Sequence, residues 1–313
     1  MIISASRRTD IPSYFSEWFF NRINEGFVYV RNPMNIHQIS NISLAPEVVD
    51  GIVFWTKNPT PFIPKIHMLD NYTYYFQFTL NSYGRDIETN IPSKKECIIP
   101  TFQQLSRLIG KERIVWRYDP IFLNDKYTLD YHIKYFELLA NKLSGYTDKC
   151  TISFLDIYRN TQRNIAPFGI ICPSKDQIEE IVGKFSDISQ KYGFNIDTCA
   201  EKINLENFGI QHAKCIDKKR FERIGDFKLD IEKDKSQRPE CGCFSSIDIG
   251  AYNTCKNGCV YCYANFNKYI VSKNFALHNP QSPLLFGNVS DDDKIYVRDV
   301  RSCKNCQIKF KCL

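Results

Sequence analysis

The feature that most constrains this chain is an alternation. Short extended apolar segments recur along it, each closing on polar or charged residues, and most are followed by a stretch with helical periodicity. The candidate strands are Ile2 to Ser6, Gly51 to Trp55, Thr73 to Phe78, Ile114 to Tyr118, Thr151 to Leu155, Phe194 to Thr198, a short weak one at His212 to Ile216, and Ser246 to Ala251. Strands separated by helical crossovers pair in parallel, so eight of them predict a (β/α)8 barrel of the TIM type.

The helices between them carry their own signals. Ser174 and Gln177 form a capping-box pattern ahead of Ile178, Ile181, Val182, Phe185 and Ile188, and Gly193 supplies the stop. Thr128 caps a helix that buries Ile133, Phe136, Leu139 and Leu143 and ends at Gly145. Phe15, Trp18, Phe19 and Ile23 make a stripe that ends at Gly26. These stripes are core. Asp226 to Pro239 is charged and short of large apolar groups, which predicts a surface loop. The expected organisation is a barrel over residues 1–264 and a cysteine-rich extension over 265–313 packed on it.

Composition narrows the class. With 43% hydrophobic and 14% aromatic residues in 313, the chain can bury a large core, and a folded protein rather than a disordered one is expected. No apolar run approaches the roughly 18 residues of a membrane span, and the start, Met1-Ile-Ile-Ser-Ala-Ser-Arg-Arg, lacks the order of a leader peptide. The expected location is therefore the cytoplasm, with no membrane partner. Thirteen cysteines in a reducing compartment read as ligands rather than disulfides. The charge of +6 comes from 41 basic and 35 acidic residues mixed along the chain. A solvated surface accounts for it, so a small-molecule substrate is favoured over nucleic acid.

Barrel chemistry gathers where the strands end at their carboxyl side. Those ends supply Arg7, Arg8, Thr9 and Asp10; Thr56, Lys57 and Asn58; Gln77 and Thr79; Arg117, Tyr118 and Asp119; Asp156, Tyr158 and Arg159; Cys199 and Glu201; and His212, Lys214 and Asp217. Arg7, Arg8 and Arg117 are candidates for a carboxylate or phosphate, oriented by Asp119 and Asp156. Pairing of Arg7 and Arg8 with Asp10, Asp119 or Asp248 is the competing structural role, as is a hydrogen-bonded structural role for His212.

The last strand runs into Cys255-Lys-Asn-Gly-Cys259-Val-Tyr-Cys262, a Cys-x3-Cys-x2-Cys loop. Three thiolates from one loop can hold three irons of a [4Fe-4S] cube, leaving the fourth open to a small molecule. The loop resembles the signature of the radical S-adenosylmethionine enzymes, and Gly258-Cys-Val-Tyr-Cys-Tyr is similar to the cluster loop of the spore photoproduct lyase branch. That resemblance implies Cys255, Cys259 and Cys262 as cluster ligands, Tyr261 as a seat for the adenine, and a flavodoxin or ferredoxin as reductant. The radical family carries its motif after the first strand, however, so the resemblance requires a circularly permuted barrel. The eighth strand would then stand in the family's first place and strand one, with Ser4, Ser6, Arg7 and Arg8, in its second. Arg7 or Arg8 would meet the methionine carboxylate. The family's Gly-Gly-Glu-like segment is absent, since the chain has no Gly-Gly pair.

Over nearly its full length the chain resembles a family of bacterial proteins of unknown function, DUF1848. The resemblance lies in Ser4-Ala-Ser-Arg-Arg-Thr-Asp-Ile-Pro12, Val53-Phe-Trp-Thr-Lys-Asn-Pro59, Trp116-Arg-Tyr-Asp-Pro120 and the cysteine segment. It implies that barrel and cysteine loop form one unit.

A second group, Cys303, Cys306 and Cys312, ends the chain, with Cys241 and Cys243 upstream as possible fourth ligands. Either a second [4Fe-4S] cluster or zinc satisfies that spacing. Cys97, Cys150, Cys172, Cys199 and Cys215 have no ligand spacing and read as free thiols. Three functions remain open: a radical S-adenosylmethionine enzyme, a cluster enzyme whose open iron acts as a Lewis acid, and a noncatalytic metal-binding barrel.

Overall fold

A computed structural model describes residues 1–305. Within them, eight strands form one parallel sheet: β1 (Ile2–Ala5), β4 (Gly51–Thr56), β5 (Tyr74–Thr79), β6 (Ile114–Ile121), β7 (Lys149–Phe154), β8 (Asn195–Thr198), β9 (Gln211–His212) and β10 (Ile247–Asp248). Their spatial order is β10-β1-β4-β5-β6-β7-β8-β9. The final strand therefore lies beside the first, with Ile3 opposite Ile247 and Ser4 opposite Asp248. The expected α/β architecture and strand neighbours are present. Backbone pairing between β9 and β10 is not found among the described residues, so hydrogen bonds do not close the sheet at that seam.

The alternation of side chains across each strand explains the two faces. On one face, Ile3, Ile52, Phe54, Phe76, Ile114, Trp116 and Ile152 are fully buried under helices. The covering helices α4 (Leu129–Leu143) and α6 (Lys175–Tyr192) begin at the caps read from sequence: Thr128 accepts from the Tyr131 N–H, and Ser174 and Gln177 form a complete capping box. Phe136 and Phe185 stack between them with centroids 3.7 Å apart. The stripe of α2 (Ser16–Glu25) buries Trp18, Phe19 and Ile23 as expected, with Phe20 buried in addition, and ends at a left-handed Gly26.

On the other face, Ile2, Val53, Tyr75 and Val115 enclose the lower interior with Ile216 and Phe221. Phe221 comes from α7 (Lys218–Gly225) and plugs the amino end. Gly51 makes room for it, because a Cβ there would sit 2.2 Å from the Phe221 ring.

Two expected strands are shorter than their apolar runs. Residues 213–216 leave the sheet with Ala213, Cys215 and Ile216 buried and Lys214 exposed, and the Cys215 carbonyl accepts from Tyr75 Oη (2.7 Å) and Gln77 Nε2 (2.8 Å) in place of a neighbouring strand. The run Ser246 to Ala251 pairs only at Ile247 and Asp248. A three-stranded sheet escaped the sequence reading. The hairpin β2 (Phe27–Asn32) and β3 (Asn35–Ser43) pairs with β11 (Lys294–Val297) from the carboxyl-terminal extension. That extension also crosses the amino end of the parallel sheet, where the Asp50 carboxylate receives the Met1 amino group, the Ser302 hydroxyl (2.5 Å) and the Cys303 N–H (2.7 Å).

Because the plug has no polar function, Phe221→Ala should cost about 3–5 kcal/mol of stability. Urea denaturation measures it, and a loss below about 1 kcal/mol would mean that the lower barrel does not depend on the plug.

Candidate metal centre at the barrel mouth

Asp248 organises the start of the site. Its carboxylate accepts from Ser4 Oγ (2.8 Å), Ser6 Oγ (2.5 Å) and the Arg7 N–H (2.9 Å), tying the end of β1 to β10. Gly250 packs close behind, where a Cβ would meet Ser6 Oγ at 2.2 Å. The cysteine loop then rises over the carboxyl ends of the strands.

Short polar residues hold that loop. Asn265 Oδ1 accepts from the Cys255 N–H (2.9 Å), and its Nδ2 approaches Cys262 Sγ (3.4 Å) and the Arg8 carbonyl (3.2 Å). Asn257 donates to Asp10 (3.0 Å) and accepts from Tyr14 Oη (3.0 Å). Gly258 adopts φ +69°, where a side chain is disfavoured, with Asn90 only 3.1 Å from its would-be Cβ. Cys255, Cys259 and Cys262 line one cavity of about 530 Å³, a size suited to a small molecule. Burial pushes the Cys259 thiol up to about 12, with nearby Lys57 opposing. Burial also raises Cys255, and the charges of Asp10 and Cys262 add to it.

Beneath the loop is a buried ionic network. Glu88 takes Lys57 Nζ (2.8 Å) on one oxygen and Lys94 Nζ (2.6 Å) on the other. Burial would raise this carboxyl, but the two ammonium groups win and hold it well below the usual carboxylate range. Tyr261 Oη donates to Glu88 at 2.5 Å, and Lys57 (2.9 Å) and Asn81 (3.1 Å) donate to the same hydroxyl. The Tyr261 ring packs with Tyr83 and Phe122, and the residue keeps one edge on the cavity.

Opposite the loop are Arg7, Arg117 and four further cysteines. Arg117 pairs with Asp119 through Nε (3.0 Å) and Nη2 (2.7 Å), and its Nη1 lies 3.0 Å from Cys215 Sγ. Cys199 Sγ is 3.2 Å from Cys215 Sγ. The Cys199 contact, then Cys243, Arg117 and Arg7, holds the Cys215 thiol well below its ordinary range. Arg7 stacks on Trp55 at 5.3 Å, and its Nη2 is buried with no hydrogen-bond partner among the described residues. Arg8 instead lies over Tyr252 at 5.0 Å. Neither arginine makes a side-chain ion pair with Asp10, Asp119 or Asp248.

The candidate residues thus sort by place. Cys255, Cys259, Cys262, Tyr261, Ser6, Arg7, Arg8, Arg117, Cys241 and Cys243 line the cavity, as do Asp119, Asp156, Tyr158, Lys57 and Cys199. Ser4 lies lower, on Asp248. Gln77 is buried against Cys215, Tyr118 turns outward onto His132 and Ser82, Asp217 caps α7, and His212 is exposed. The Cys303 N–H is held by Asp50 and its side chain packs against the apolar cluster that includes Cys241 and Cys243, while Cys306 and Cys312 fall outside the described residues. Among the described residues, no three His, Cys, Asp or Glu side chains stand in ready-made metal geometry. Glu88, Lys94 and Asn81 were missed because they follow β5 in a loop without periodicity. Asn265 was legible as the residue after Tyr263-Ala264.

Glu88→Gln would strand two buried ammonium groups and should cost about 3–5 kcal/mol at neutral pH. The wild-type carboxyl titrates below its unfolded value, so its contribution is complete above the usual glutamate range and is lost only as pH falls through it. Urea curves of the two proteins should therefore converge in acid; a gap unchanged down to about pH 2 would contradict the assignment.

No curated protein matches the chain. Among solved structures it is similar to one named "putative alpha-L-fucosidase", from Bacteroides thetaiotaomicron VPI-5482. That match has 12% identity and a TM-score of 0.25, covering 54% of this chain and 78% of the other. A likeness that weak carries no argument about function. The family model described as a domain of unknown function, DUF1848, matches residues 2–264, which takes in β1 through the cysteine loop, and the chain belongs to that family.

Proposed function

We propose that this protein is a radical S-adenosylmethionine enzyme acting on a small molecule held in the barrel mouth. The observation that carries the reading is the setting of its Cys-x3-Cys-x2-Cys loop: it follows a parallel strand, opens into the carboxyl-end cavity, and lies beside β1. A barrel permuted so that β10 stands first and β1 second would have that arrangement. The donor set fits a cluster with an open iron, because it is three thiols and no fourth protein ligand from the same loop. A [4Fe-4S] cluster held by Cys255, Cys259 and Cys262 would supply the one-electron chemistry that reductive cleavage of S-adenosylmethionine requires. A flavodoxin or ferredoxin would serve as the source of that electron.

The chain's own residues divide the remaining work. Asn265 orients the loop through the Cys255 N–H and Cys262 Sγ. Lys57 lowers the cost of a buried thiolate at Cys259. Arg8, which has no ion pair among the described residues and reaches the cavity beside the loop, is the cation for the methionine carboxylate. Arg7 is directed to the other cysteine group, since its charge interacts first with Cys243, Cys215 and Cys241. The edge of Tyr261 offers a surface for the adenine, and Arg117 with Asp119 presents polarity to the substrate.

The test is anaerobic reconstitution with iron and sulfide, then assay for 5′-deoxyadenosine after reduction with S-adenosylmethionine present. The expected result is product from the wild type and none from Cys259→Ala, with Arg8→Lys weakening S-adenosylmethionine binding about tenfold at equal cluster content. Arg7→Lys should leave that binding unchanged. A fully loaded cluster that neither binds nor cleaves S-adenosylmethionine would overturn the reading in favour of Lewis-acid chemistry.

A further inference from the structure

The seam between β9 and β10 is filled by two irregular segments, 213–216 and 241–244. The Phe244 N–H reaches the Ile216 carbonyl (3.2 Å), and the Ile216 N–H points at Cys243 Sγ (3.4 Å). Gly242 permits their approach, because a Cβ there would meet the Ala213 carbonyl and Lys214 Cγ at 3.0 Å each. These segments carry Cys215, Cys241 and Cys243, and the end of β8 brings Cys199. Cys199 touches Cys215, and the Cys243 thiol interacts with both Cys215 and Cys241. Four sulfurs from three separate segments thus neighbour one another along one edge of the cavity, short of ready-made ion geometry.

Their surroundings are cationic. Arg117 donates toward Cys215 Sγ while sharing its charge with Asp119, and Arg7 leaves a buried Nη2 without a partner. A buried guanidinium nitrogen with nothing to donate to calls for an absent anionic group. Four thiolates around a divalent ion carry about two negative charges, which that setting would receive.

We propose that Cys199, Cys215, Cys241 and Cys243 bind one zinc ion in a closed four-thiolate site that locks the seam of the barrel. Zinc–sulfur bonds of about 2.3 Å set tetrahedral sulfur–sulfur edges of about 3.8 Å, close to thiol contact. A four-iron cube would need its cysteine sulfurs spread well beyond contact. With all four positions filled by protein, the ion has no place for substrate and its role is structural. This site uses none of Cys303, Cys306 and Cys312, and it stands whether or not the Cys255 loop carries a cluster.

Zinc-edge X-ray absorption on the full wild-type chain tests it with no dependence on the folding of a variant. About one zinc per chain with four sulfur neighbours at about 2.3 Å is expected. Cys215→Ser and Cys241→Ser should lose that zinc, whereas Cys303→Ser and Cys259→Ala retain it. No zinc, nitrogen or oxygen in its first coordination sphere, loss with Cys303→Ser, or a Cys199–Cys215 disulfide in the purified protein would each overturn the proposal.

Discussion

The parallel pairing of β10 with β1 is the constraint on which the rest of the site depends. It joins residues 244 positions apart, and the Asp248 carboxylate secures it by taking two serine hydroxyls and a backbone N–H from the end of β1. Without it, the cysteine loop would hang from a chain end. With it, the loop faces the same cavity as Arg7, Arg8 and Lys57, and the first and last parts of the domain become one wall. Buried charged hydrogen bonds of this kind fix position more than they add stability, because desolvation offsets much of their attraction.

The interior has two halves with different chemistry. Below, Val53, Tyr75, Val115 and the Phe221 plug exclude water. Above, the same inward positions along the strands become Trp55, Gln77, Thr79, Arg117, Asp119 and Ser153, and the barrel turns polar toward its mouth. Glu88 is met by Lys57 and Lys94 and Arg117 by Asp119, and among the described residues the buried exception is Arg7, whose Nη2 has no hydrogen-bond partner. A polar network is costly when one member is left unmet, so the exception marks a place where something else belongs.

Much of this was readable in the sequence because it follows local rules. The six longer strands, the capping box at Ser174, the Thr128 cap and the stripe of α2 depend on periodicity and turn chemistry that a short window contains. The neighbouring of the last and first strands followed from barrel logic, and the Cys255 loop from spacing. The hairpin of β2 and β3 was missed although Asn32-Pro33 marks its turn, since its partner β11 lies more than 250 residues downstream. The meeting of Cys199 and Cys215 with Cys241 and Cys243 was illegible for the same reason. No spacing rule links a strand end, a buried irregular segment and a distant Cys-Gly-Cys.

The central claim is that the Cys255 loop holds a cluster whose open iron takes S-adenosylmethionine inside the barrel mouth. Electron–nuclear double resonance on the reduced, reconstituted protein tests it most directly, using S-adenosylmethionine labelled with nitrogen-15 at the amino group and oxygen-17 in the carboxylate. The account predicts strong hyperfine couplings to both labels, absent when Cys262 is replaced by Ala. A cluster signal in the wild type that carries neither coupling, at saturating S-adenosylmethionine, would contradict it.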